Sequence, residues 1–125
     1  MTDVLGPADR VQAVRATGVP VIYFRNGATT ILERVVSVGA DVYGIDWRLP
    51  LDEARARIER GGSRAAVQGN LDPALLLGPI DRVRRQVDDV LRRGGGRGHI
   101  FNLGHGIYPE TPLATVEALV RAVQG

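Results

Sequence analysis

The sequence predicts an α/β fold built on a parallel sheet, and three observations point there. Short apolar, β-branched runs alternate with stretches whose apolar residues recur at helical spacing. The runs begin at Val19, Val42, Ala65 and His99, which leaves room for a crossover helix between successive strands. Glycine or proline marks the junctions, at Gly18, Gly39, Gly61-Gly62, Gly94-Gly95-Gly96 and Pro112.

The first helix is expected over Pro7 to Thr17, with Val4, Ala8, Val11 and Val14 near helical spacing and Gly18 as its stop. VPVIYF, Val19 to Phe24, reads as a strand with Pro20 at its start, where a missing N–H is tolerated. Arg25-Asn26-Gly27 is a turn. Ala28 to Val38 is a helix with Ile31, Leu32, Val35 and Val38 on one face, and Gly39 ends it. A second strand runs from Val42 to Asp46.

Leu51 to Arg60 places Leu51, Ala54 and Ile58 on one helix face, with Asp52 and Glu53 in the first turn, where the helix dipole favours them. Ala65 to Gly69 is the third strand. Asn70-Leu71-Asp72-Pro73 is a tight strand-to-helix turn with Asp72 as N-cap. Ile80 to Arg93 is an amphipathic helix through Ile80, Val83, Val87, Val90 and Leu91. His99 to Leu103 is the fourth strand, and Leu113 to Val123 the last helix. Two architectures satisfy this order: a small open doubly wound sheet, or half of a (β/α)8 barrel, whose full form takes ~250 residues.

A chain of 125 residues suits one domain, residues 1–125. Its 44% hydrophobic content supplies a core and its 24% charged content argues against disorder. The absence of cysteine excludes disulfides, thiolate zinc sites and a cysteine nucleophile. All 16 basic residues are arginine, but they are scattered and aromatics are sparse, so no nucleic-acid-binding stripe forms. MTDVLGPADR does not read as a signal peptide, and no apolar run approaches the ~18 residues of a membrane span. The expectation is a cytoplasmic protein with no membrane and no nucleic-acid partner. No G-x-G-x-x-G follows the first strand and there is no Walker A motif.

The most informative stretch is GHIFNLGHGIYPETP, Gly98 to Pro112. Its apolar run ends in Gly104-His105-Gly106, just past the C-terminal end of a parallel strand, where α/β folds place their chemistry. A histidine between two glycines there has space around it. Asp46 ends the second strand at the same face; it can meet substrate N–H groups, cap the next helix or hold Arg48. Asn70 and Gln68 flank Gly69, where turn-stabilising hydrogen bonds are their simplest work. Tyr108 lines the mouth or packs over it. His99 starts a strand at the opposite end and is given no catalytic role. Tyr23 and Phe24 are read as core.

GIDW (Gly44 to Trp47), VQGNLDP (Val67 to Pro73) and GHIFNLGHGIYPETP together resemble the last third of the uroporphyrinogen decarboxylase family. VPVIYF is similar to an earlier strand of the same family, and the likeness runs from about Val11 to the end. The resemblance implies a TIM barrel of which this chain is the C-terminal half, four consecutive βα units. It implies tetrapyrrole (haem) biosynthesis: uroporphyrinogen III loses its acetate carboxyls as CO2 to give coproporphyrinogen III, without cofactor or metal.

His105 matches the family's active-site histidine, as catalytic and substrate-binding residue; Asp46, Asn70 and Tyr108 are the further substrate-binding candidates. The family's arginine-rich N-terminal motif, pyrrole-binding aspartate and active-site tyrosine have no counterpart here, and Arg25-Asn26 departs from the smaller residues of relatives. The chain is therefore expected to be a fragment, inactive alone. It is expected to form homo-oligomers through its apolar edge strands or to depend on a missing N-terminal half. Two alternatives accompany this reading. A non-catalytic half barrel would bind a tetrapyrrole or a partner. A related corrinoid-dependent methyltransferase is disfavoured, because those enzymes hold zinc with histidine and cysteine.

Overall fold

The structure, a computed structural model, describes residues 6–25 and 31–125. Its elements are α1 (Pro7–Arg15), β1 (Ile22–Tyr23), α2 (Leu32–Val35), β2 (Val42–Gly44), α3 (Leu51–Arg60), β3 (Ala66–Leu71), α4 (Ile80–Gly94), β4 (His99–Leu103) and α5 (Leu113–Gln124). Three-residue and five-residue 3₁₀ turns, Val36–Val38 and Pro73–Leu77, follow α2 and β3. The four strands form one parallel sheet in the order β1-β2-β3-β4. Sequential order with a helix after each strand gives the alternating α/β layering that the spacing predicts.

One face of the sheet carries the helices. Tyr43 of β2 and Val67 of β3 point into that layer and are buried with Leu51, Ala54 and Ile58 of α3 and Val83 and Val87 of α4. These are the helical positions the periodicity selects, and each buried aliphatic side chain contributes roughly 1.5–3 kcal/mol. Among the described residues no helix covers the opposite face. Register aligns Ile22 with Val42 and Ala66, and Gly44 with Gln68 and Ile100, so these side chains share it. Ile22 is 48% exposed, Phe24 45% and Ile100 44%. Phe24 therefore does not join the core as expected: period-two alternation places it on the bare face, while Tyr23 packs half-buried against the helices.

Several elements differ in extent from the expected ones. β1 shrinks to Ile22–Tyr23, the two residues that pair with β2. β2 stops at Gly44, whereas β3 extends to Leu71 because β4 pairs with it that far. The second helix tightens into a 3₁₀ turn before Gly39, which adopts φ 79°. The buried Tyr43 hydroxyl organises that turn: it accepts hydrogen bonds from the Gly39 and Ala40 amides and donates to the Val36 carbonyl at 2.7 Å. The Asn26 and Gly27 part of the expected turn, and residues 28–30 of the expected helix, lie outside the described residues. Asp72 caps as expected, accepting from the Ala74 amide at 2.9 Å, although it opens the 3₁₀ turn and not an α-helix.

Among the described residues no helix is long and apolar enough to cross a membrane.

Candidate functional site

Parallel strands bring their C-terminal ends to one rim, and His105 stands on that rim, two residues past β4. An open cavity of about 600 Å³ lies beside it. Phe24, Gly44, Gln68 and Asn102 line the cavity from the bare sheet face, and the loop from Gly104 to Ile107 closes one side. His105 is exposed, and among the described residues its imidazole has no hydrogen-bond or ion-pair partner. The ring is free to meet a ligand, and imidazole is the side chain that changes charge nearest neutral pH.

Glycines make this rim possible. A Cβ on Gly104 would lie 2.4 Å from the Trp47 amide nitrogen, so the loop after β4 abuts the loop after β2. A Cβ on Gly44 would lie 2.9 Å from the Phe24 ring, so the phenyl group lies across that glycine at the cavity wall.

The other predicted site residues fall on the same rim but not in the cavity. Asp46 is buried and turned to its own loop, accepting from the Arg48 amide at 3.0 Å and from the Arg48 guanidinium at 3.0 Å. Arg48 in turn stacks on Trp47, 4.9 Å from the ring centroid. Asn70, also buried, donates through its carboxamide to the Asp46 carbonyl at 2.9 Å and to the Leu49 carbonyl. Both residues build the β2–α3 loop. Tyr108 is 44% exposed, one residue beyond the cavity wall. The structure thus brings His105 to the cavity with Gln68, Asn102 and Phe24, and holds Asp46 and Asn70 behind the rim. Asn102 lines the cavity although no sequence motif singles it out. Its signal was there: period-two alternation through HIFNL puts Ile100 and Asn102 on one face, beside Gln68 and Gly44.

A second groove, of about 640 Å³, opens at the N-terminal end of the strands between Arg64, Arg97 and Arg55. Arg55 there donates to the Gly94, Arg97 and Gly98 carbonyls and fastens the α4–β4 turn. This end of a parallel sheet serves stability, whereas ligands are met at the other. Away from both cavities, the Arg57 guanidinium grips Glu33 through two hydrogen bonds of 2.6 and 2.7 Å and holds its carboxyl near pKa 2. Among the described residues no group of three metal-ligating side chains comes together.

Comparison with known proteins gives the same direction throughout. A family model for uroporphyrinogen decarboxylase (URO-D) matches residues 7–125. A uroporphyrinogen decarboxylase of Solibacter usitatus is 47% identical over 115 residues, covering 91% of this chain and 32% of the relative. Those of Myxococcus xanthus and Sorangium cellulosum are 50% and 51% identical over 113 and 111 residues, covering 90% and 88% of this chain and 32% and 31% of the relatives. The chain spans about a third of the length of the curated relatives it matches. The match begins at Pro7, where α1 begins, and carries through the His105 loop to the last residue: the chain belongs to the uroporphyrinogen decarboxylase family.

Proposed function

We propose that this chain is the C-terminal half of a (β/α)8 barrel that decarboxylates uroporphyrinogen III, and that His105 is its catalytic contribution. The observation that carries the reading is the position of His105, unpaired among the described residues, at a cavity on the C-terminal rim of a parallel sheet. The bare sheet face supports it too. A four-stranded parallel sheet with helices on one side only has two open edges and an apolar face, and a barrel covers both.

Losing CO2 from a pyrrole acetate leaves an electron pair on carbon. Protonation of the pyrrole ring carbon creates a cationic ring that takes up that pair as the C–COO⁻ bond breaks; a second proton then completes the methyl group, and the ring carbon gives up the first proton to restore the pyrrole. The protein's work is to deliver protons, stabilise the cation and grip the carboxylates. His105 serves as proton donor or as hydrogen-bond donor to an acetate. Gln68 and Asn102 offer neutral amide donors in the same cavity. Asp46 and Asn70 act on substrate indirectly, by shaping the rim, and Tyr108 flanks the entrance. No step of this scheme requires a metal or an organic cofactor. The groups that stabilise the pyrrole cation come from the part of the barrel this chain does not span, so the chain alone has little or no turnover.

A titration of the purified chain with uroporphyrinogen under reducing conditions tests the site. The His105 imidazole signal is expected to move on binding, and His105→Ala to weaken binding. Binding that is unchanged in His105→Ala would place the porphyrinogen elsewhere and leave a non-catalytic tetrapyrrole-binding half barrel.

A further inference from the structure

We propose that His99 is a positioning residue for the rim that carries His105. Its functional meaning rests on the reading of that rim as a porphyrinogen site; its geometry does not.

His99 opens β4, at the opposite end of the strand from His105. Its ring turns into the helix layer beside Phe101, at 6.3 Å between centroids. Its Nε2 lies 2.7 Å from the Gly69 carbonyl oxygen. A carbonyl only accepts, so Nε2 is the nitrogen that donates the proton of this bond. The Nδ1 side faces the end of α4, where a Cβ on Gly94 would come within 2.1 Å of that atom. Gly94 is therefore the residue that lets the helix end close over the imidazole.

From Gly69 the contacts run to the rim without a gap. A Cβ on Gly69 would lie 2.7 Å from the Ile45 carbonyl oxygen, so β3 meets the backbone of the residue that follows β2. The next residue, Asn70, holds the Asp46 and Leu49 carbonyls. Asp46 holds Arg48. Trp47, between them, lies against Gly104, and His105 follows. His99 thus anchors the carbonyl from which the Asn70 side chain is set, and Asn70 sets the loop against which the His105 loop rests.

A packing role and a hydrogen-bonding role make different demands. Phenylalanine fills the same space but leaves the Gly69 carbonyl without its donor, whereas glutamine can restore an N–H to it. The chain suits the test, because it holds two histidines and one tryptophan, so Trp47 emission and the His105 imidazole signal are each unambiguous once His99 is replaced.

Nitrogen-15 spectra of the whole chain are expected to show His99 as the Nε2–H tautomer. His99→Phe is expected to move both the Trp47 emission and the His105 imidazole signal, and His99→Gln to return both toward the unsubstituted chain. An Nδ1–H tautomer would overturn the proposal. So would a folded His99→Phe chain with both signals unmoved, or a shift that His99→Gln fails to reverse. Should His99→Phe not fold, the tautomer and a folded His99→Gln chain decide the matter, and displaced Trp47 and His105 signals in the latter would overturn it. None of these readouts uses porphyrinogen, so a chain that passes them and binds no uroporphyrinogen fails only the substrate reading.

Discussion

Gly104 sits so close to Trp47 that a methyl group on its α-carbon would stand 2.4 Å from the Trp47 amide nitrogen and 2.8 Å from its α-carbon. Both sides of this contact are backbone, so neither yields by rotating a side chain. Gly104→Ala is expected to push the loops after β2 and β4 apart, destabilising the chain by roughly 1–3 kcal/mol as overpacking does. Denaturant unfolding gives the loss, and Trp47 emission reports the separation. A midpoint and emission equal to those of the unsubstituted chain would show that the loops do not meet this closely.

Tyr43 offers a second local test. It is buried, and its hydroxyl serves two amides and one carbonyl at the turn after α2. Tyr43→Phe keeps the ring but leaves those backbone groups short of a partner, at a cost of about 1–3 kcal/mol. The expected result is a lower denaturation midpoint with an unchanged slope, since the compactness of the fold is not altered.

The Glu33–Arg57 pair predicts a weak acid sensitivity. The hydrogen bond from Arg57 lowers the Glu33 carboxyl from 4.5 to about 2 in the folded chain. The unfolded state then binds the proton first, so the contribution of the pair is complete above pH 4.5 and is lost as the pH falls toward 2. Glu33 is solvent-exposed, which keeps the effect small. Unfolding midpoints measured across that window are expected to fall less steeply with acid for Glu33→Gln than for the unsubstituted chain. Equal slopes would show that the pair adds no pH dependence.

The bare sheet face has a consequence in solution. Ile22, Phe24 and Ile100 are each nearly half exposed on it, and β1 and β4 are edges. The isolated chain is expected to associate at micromolar concentrations, and Ile100→Lys to reduce that association by placing a charge on the face. Light scattering that returns a monomer for the unsubstituted chain would count against this.

How far the sequence alone reached depends on the range of the interaction involved. α3 and β4 lie where local pattern puts them, at Leu51–Arg60 and His99–Leu103, because their boundaries are set by glycine, proline and periodicity within a few residues. β1 is shorter than its apolar run because a strand ends where its pairing ends, and Ile22 and Tyr23 are the residues in register with β2. The tightening of the second helix follows from the Tyr43 hydroxyl, a contact that periodicity does not encode. At the rim, His105 was legible from its flanking glycines, and the choice of Asp46 for holding Arg48 was among the readings its position allowed. The inward turn of Asn70 was not legible, since it depends on where the Asp46 and Leu49 carbonyls come to rest. His99 carries no catalytic role by its place at the opposite end of the strand, and that place does not encode its bond to Gly69 on the neighbouring strand.

The most direct measurement is made on a chimera in which the 115 residues of this chain that match the Solibacter usitatus relative at 47% identity replace the matching segment of that relative. The folded chimera is expected to release CO2 from uroporphyrinogen III, and His105→Ala to lower that rate by about 10²–10⁴-fold, the usual range for a group that moves a proton in the transition state. A folded chimera without turnover, or one whose rate is unaffected by His105→Ala, would contradict the placement of His105 at the reacting centre.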